Sequence, residues 1–201
     1  TPAAALAGRL AEFKARGGRL LGITGAPGSG KSTVAEGLVA ATAGACLLPM
    51  DGFHYADEEL ARLGRSRRKG APDTFDVDGF IATLRRVHEG RHDVLVPRFH
   101  RHLEAAVAGA IRIPAGAPLV VVEGNYLLLD SGGWEGVRPL LDECWLLRPD
   151  DAVRRQRLVA RHQQHGRSAD DAEHWVATVD EPNARLIASH AAGADFVADP
   201  G

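Results

Sequence analysis

Five short runs of this chain are apolar at almost every position: 19–24 (RLLGIT), 46–50 (CLLPM), 118–124 (PLVVVEG), 143–149 (ECWLLRP) and 194–199 (ADFVAD). A strand with one wetted face alternates apolar and polar residues. Runs this uniform must be buried on both faces, as in a parallel sheet covered by helices on either side. The intervening segments carry helical periodicity at about 3–16, where Leu6, Leu10 and Phe13 share a face, and then at 31–43, 78–89, 150–165 and 170–190. The expected fold class is α/β, a three-layer sandwich with a parallel sheet of about five strands flanked by helices. Residues 56–75 are rich in charge, Gly and Pro and show no clear strand. They are expected to form an insertion over the ligand-binding edge of the sheet, the alternative being a solvated connection.

With 201 residues, 45% of them hydrophobic, the chain has enough apolar surface for one globular domain, expected to span 1–201. A net charge of -2 gives no domain-wide attraction to nucleic acid, despite the basic cluster RSRRK at 65–69. No nucleic-acid partner is expected. Cys46 and Cys144 lie in apolar runs and suit neither a disulfide framework nor a zinc site, which points to reduced, buried thiols and the cytoplasm. No apolar run is long enough to span a membrane, so no membrane partner is expected. The opening on Thr1 rather than Met leaves open whether the native N-terminus is present.

Between the first apolar run and the helix-like segment after it stands GAPGSGKST, which satisfies G-x-x-x-x-G-K-[ST] in the strand-to-helix context that a phosphate-binding loop requires. Glycines let successive backbone N–H groups converge on phosphate oxygens, and the new helix adds its positive N-terminal end. The nucleotide-binding candidates are Gly25, Ala26, Pro27, Gly28, Ser29, Gly30, Lys31, Ser32 and Thr33. Lys31 would reach the β- and γ-phosphates and the Ser32 hydroxyl would ligate Mg²⁺. The loop does not discriminate adenine from guanine. With no N-K-x-D segment in the chain, ATP is the expected nucleotide.

Ligands of an open parallel sheet bind outside the carboxyl ends of its strands. Two acids stand there: Asp51 directly after CLLPM and Glu123 directly after PLVVV. Asp51 is suited to accept the proton of an attacking hydroxyl, and Glu123 to hold Mg²⁺ or a metal-bound water. The exchanged assignment, and helix or turn capping by either acid, remain open at this level.

The blocks GAPGSGKST, MDGFHYADEELARLGRSRRKGAPDTFDVDGF, VPRFHRHLEAA and VVVEGNYLL resemble, in that order, those of the uridine kinase, pantothenate kinase and phosphoribulokinase family. The likeness is greatest to its bacterial nucleoside kinase-like, or fructose-transport-system kinase-like, branch, for which DEPNARLI at 180–187 also looks typical. The resemblance implies MgATP-dependent phosphorylation of a small-molecule hydroxyl, with Asp51 at the position of the family's catalytic aspartate. It further implies acceptor-side roles for Lys69, Asp76, Arg98, His100 and His102. Phe53, His54 and Asn125, inside the same blocks, stand as substrate-side candidates with them.

After Pro149, Arg154, Arg157 and Arg161 fall at helical spacings of three and four and so lie near one face. A solvated basic face is the ordinary explanation. In the family, the corresponding region, here about 150–170, is a helical lid whose arginines approach the transferred phosphoryl group. The spacing before Gly166 departs from that of uridine kinases by about a residue, which leaves the catalytic arginine between Arg157 and Arg161. The acceptor-side insertion corresponds to about 54–77.

The expected activity is thus ATP-dependent transfer of a γ-phosphoryl group to a nucleoside, sugar or pantothenate-like vitamin. The alternative is a nucleotide-binding regulatory or switch module with no small-molecule acceptor. A homodimer is compatible with the sequence, which does not specify the oligomeric state.

Overall fold

The computed structural model describes residues 2–200. Its main sheet has five strands, all parallel: β1 (Leu20–Gly25), β2 (Cys46–Pro49), β5 (Val120–Glu123), β6 (Glu143–Leu147) and β7 (Phe196–Ala198), in the order β2-β5-β1-β6-β7. These are the five apolar runs. Alternate residues of each strand feed opposite faces. Leu20, Val120, Val122 and Leu146 enter one core with Phe80 and Trp134, whereas Leu21, Ile23, Val121 and Leu147 enter the other with Phe13 and Trp145.

Helix α1 (Pro2–Ala15) buries Leu6, Leu10 and Phe13 against the second face, and α2 (Lys31–Ala40) joins it there through Ala35 and Leu38. On the first face lies α4 (Val77–Glu89), with Phe80, Ile81, Leu84 and Val87 buried on one side. Asp76 starts it, accepting the Gly79 N–H at 2.9 Å. Gly90 stops it in the left-handed region at φ 64°. Phe80 packs edge-on to Phe53 at 5.1 Å between centroids and against Trp134 at 6.0 Å. Phe80→Ala is expected to cost about 3–5 kcal/mol, read as a lower urea midpoint at unchanged m. A loss under about 1 kcal/mol would show that this aromatic layer does not hold α4 to the sheet.

Residues 56–75 are ordered. They form α3 (Asp57–Arg62), which starts with three acids at the positive end of its dipole, and two short 3₁₀ turns. Tyr126 Oη donates to the Gly70 carbonyl, Trp134 Nε1 donates to that of Pro72 at 3.2 Å, and a β-bridge joins His54 to Phe75. A solvated connection is therefore excluded.

Three features depart from expectation. An antiparallel hairpin, β3 (Val94–His100) and β4 (Ala105–Ile113), was not foreseen, because Pro97 interrupts one strand and the other is mostly small, exposed residues. The expected helix over 170–190 is α6 (Ala169–Trp175), a π turn (Val176–Asp180) and α7 (Glu181–Ser189). Pro182 has no N–H to continue the helical ladder and is at home in the first turn of a new helix. Cys144 is buried, and burial pushes its thiol pKa up, but Cys46 is only half-buried; both thiols are free. No helix among the described residues is long and apolar enough to cross a membrane.

Candidate active site

The loop from Gly25 to Gly30 turns β1 into α2, so Lys31 and Ser32 open the helix. Gly28 and Gly30 hold φ 79° and 85°, which side chains rarely adopt. A Cβ on Gly28 would also lie 2.7 Å from Leu158 Cγ and 2.9 Å from the Arg154 carbonyl, on α5 (Asp151–Gln164). The loop thus packs directly on α5. Arg154, 3% exposed, reinforces this contact by pairing with Glu181 and donating to the Pro27 carbonyl at 3.4 Å. It is a buried brace and not part of a solvated face.

Two observations test the loop for phosphate. The Ser29 hydroxyl is fully buried without a hydrogen-bond partner, and Lys31, itself buried, turns its Nζ onto the Ala26 carbonyl 3.0 Å away. A buried ammonium held only by its own loop, next to converging amides, fits an anion at that point. Burial lowers the Lys31 pKa, opposed by the charges of Glu123 and Asp51.

Parallel register brings the two acids to this loop. Glu123 ends β5 beside both Ile23 of β1 and Pro49 of β2, and Asp51 lies two residues beyond Pro49. Glu123 is buried, and that burial pushes its pKa up to about 7; Lys31 opposes the shift and Asp51 adds to it. Asp51 is more open, 40% exposed at its side chain, with Arg101 at 3.9 Å. The short turn carrying it needs Gly52, where a Cβ would lie 2.4 Å from the Pro97 carbonyl of the hairpin.

Lys31, Ser32, Asp51 and Glu123 line one end of a cavity of about 850 Å³. His54, Lys69, Asn125 and Arg161 also line it. His54 stacks on Phe75 at 4.0 Å and Phe99 at 5.0 Å, and its Nδ1 lies 2.9 Å from the Asp51 carbonyl. Burial lowers its pKa, favouring a neutral ring that donates through Nδ1 and leaves Nε2 as an acceptor. Lys69 is held by Asp57 at 2.7 Å and Glu104 at 3.4 Å. Arg161 is half-buried; desolvation and the nearby charge of Arg101 lower its pKa, and the charges of Asp180, Asp51 and Glu123 oppose that shift.

Other expected residues do not reach this cavity. Phe53 is 7% exposed in the aromatic core, where its packing on Phe80 takes up its ring. Asp76 caps α4. Arg98, His100 and His102 lie outside the cavity lining, whereas Phe99 and Arg101 line it; the hairpin register shifts just before them, between Val96 and Arg98, where β4 carries the extra residues opposite Pro97. Arg157, four residues before Arg161, is not in the lining either, whereas Arg161 is. Sequence reasoning missed Phe75, Phe99, Arg101 and the His162–Asp180 pair, whose Nε2 and Oδ2 lie 2.8 Å apart. The DEPN segment was the available signal for Asp180.

Comparison with known proteins agrees with this geometry. Residues 21–176 match the family model described as an AAA domain. The chain is 34% identical over 152 residues to YggC of Escherichia coli K12, covering 76% of this chain and 62% of that protein. It is 33% identical over 165 residues to C227.14 of Schizosaccharomyces pombe, a candidate uridine kinase, covering 77% of this chain and 70% of the other. A solved structure of a candidate fructose transport system kinase from Silicibacter sp. TM1040 superposes with a TM-score of 0.85 at 37% identity, over 98% of each chain. With the phosphate loop, both strand-end acids and the five-stranded parallel sheet in place, the chain, which spans about three fifths of the length of YggC, belongs to this AAA-domain family of P-loop proteins.

Proposed function

We propose that this protein transfers the γ-phosphoryl group of ATP to a hydroxyl of a small molecule. The observation that carries the reading is the one cavity that Lys31, Asp51, Glu123 and Arg161 all line, which joins a phosphate loop to an acid open enough to meet an acceptor. The loop amides and Lys31 hold the β- and γ-phosphates in line with the acceptor, and Arg161 offsets charge on the transferred group. Asp51 orients the attacking hydroxyl and takes its proton. The residues suited to Mg²⁺ are Ser32 and Glu123. When bound, the ion neutralises phosphate charge. The lid at about 150–170 and the insertion at about 54–77 exclude water, without which ATP would be hydrolysed. The experiment is acceptor-dependent ADP release from ATP across nucleosides, vitamins and sugars, with acceptor-free hydrolysis as the blank. Hydrolysis that no acceptor stimulates would overturn the reading in favour of a nucleotide-driven switch.

The raised pKa of Glu123 gives a pH prediction with a definite sign. Below about pH 7 the carboxyl is protonated, and the proton competes with a metal ion. The Mg²⁺ concentration for half-maximal rate should therefore climb by up to about tenfold per pH unit below that value and level off above it. Glu123→Gln should need more Mg²⁺ throughout and lose this pH dependence. A flat Mg²⁺ requirement from pH 6 to 8 in the unaltered protein would remove Glu123 from the metal.

A further inference from the structure

We propose that His162 and Asp180 are a positioning pair for phosphoryl transfer: by fixing the rotation of α5 they aim Arg161 into the cavity at the phosphate loop. This rests on the kinase reading above and adds to it two residues that act through Arg161.

Arg154, Leu158 and His162 are spaced by four along α5 and so share one face. Arg154 and Leu158 are buried there, and the His162 side chain is 16% exposed. Two consecutive acids meet this face. Asp180 ends the π turn and places Oδ2 2.8 Å from His162 Nε2. Glu181 opens α7, pairs with Arg154 and holds Arg155 at 2.8 Å. A carboxylate only accepts, so His162 Nε2 is the donor. The anchors at Arg154 and His162 lie about 12 Å apart along the helix, and a helix held at two such points on one face cannot roll about its axis. Between them Leu158 lies against Gly28 of the phosphate loop, where a Cβ would come within 2.7 Å of its Cγ. The π turn sets the direction of the acids. Its extra residue rotates the side chains after it by about 100° from where an uninterrupted α-helix would put them, and such turns recur at functional sites.

Arg161 is the residue next to His162, about 100° around the same helix. It lines the cavity with Lys31, Asp51 and Glu123, and the Asp180 carboxylate is near enough for its charge to act on it. Of the two anchors, the one at His162 adjoins Arg161, whereas Arg154 lies about two turns away. Loss of the His162–Asp180 bond therefore frees the end of α5 that carries Arg161 while its start stays held. Placement matters at that point, because a shift of about 1 Å in a group acting on the transferred phosphoryl lowers the rate by up to about 10².

ADP release is measured first with uridine, pantothenate, D-fructose and D-glycerate. The acceptor that the unaltered protein turns over fastest is used for the variants, with ATP affinity taken from calorimetry. His162→Phe keeps the edge-on contact with Trp175, 6.4 Å between centroids, but cannot donate to Asp180. It should lower kcat by about tenfold, with acceptor KM, the Kd for ATP and the circular-dichroism spectrum close to those of the unaltered protein. His162→Gln, whose amide can place an N–H on Asp180, should recover most of that loss. Asp180→Ala should cost the same factor, and the two changes together no more than either alone. On top of Arg161→Ala, His162→Phe should have a further effect below about twofold, which a loss of packing alone would not show. An unaltered kcat in His162→Phe, a Gln variant no better than the Phe variant, or the full tenfold loss repeated without Arg161 would overturn the inference and leave the kinase reading intact. ADP release that none of the four acceptors stimulates would sink both.

Discussion

Lys31→Ala is expected to bind ATP weakly and to transfer phosphoryl groups slower by about 10³, the upper end of what loss of one preorganised charge costs. Lys31 is 7% exposed and its ammonium donates to the Ala26 carbonyl of its own loop, so no core packing depends on its head group. Circular dichroism and the urea midpoint should stay close to those of the unaltered protein. A second consequence follows from its pairing. Lys31 opposes the upward pKa shift of Glu123, so its removal should raise that pKa further and move the remaining activity to higher pH. Steady-state rates between pH 6 and 9 measure both effects. A folded variant with unaltered turnover would take the whole loop out of the chemistry.

Asp51→Asn should lower kcat by about 10² or more while the Kd for ATP changes little. The amide matches the carboxylate in shape and can still orient a hydroxyl, but it cannot take a proton. Added Mg²⁺ should not rescue it, whereas Glu123→Gln should recover in part at high Mg²⁺, because only the latter has lost metal affinity. The opposite pattern of rescue would exchange the roles of the two acids. The burial of Glu123 and the openness of Asp51 favour the assignment given: an acid poised near neutrality suits a site shared with a cation, and an accessible one suits an incoming substrate.

Much of the frame was legible along the chain. A short run of almost uniformly apolar residues has few options but a strand covered on both faces, and the five such runs pair in one parallel sheet, although the edge strand β7 is only three residues long and leaves Val197 exposed. The phosphate loop was equally readable, because its geometry is set by glycines and a helix start within nine consecutive residues. Once the strands are parallel, Asp51 and Glu123 must share the edge that this loop occupies.

The rest of the cavity lining was not legible, since it depends on contacts between distant segments. Arg98, His100 and His102 sit in the block that suggested them, but the hairpin register shifts between Val96 and Arg98, with the extra residues in β4, and beyond it Phe99 and Arg101 are the residues that line the cavity. Phe53 and Asp76 look equally polar-site-adjacent in sequence, and only packing against Phe80 and capping of α4 show them otherwise engaged. The choice of Arg161 over Arg157 is a matter of helix rotation against the cavity, which spacing alone leaves uncertain. Local patterns in this protein determined the sheet, its direction and the phosphate site, because each arises from neighbouring residues. Which side chains converge on the acceptor was decided by tertiary structure, where register, bulge and helix break set directions that no neighbouring residue encodes.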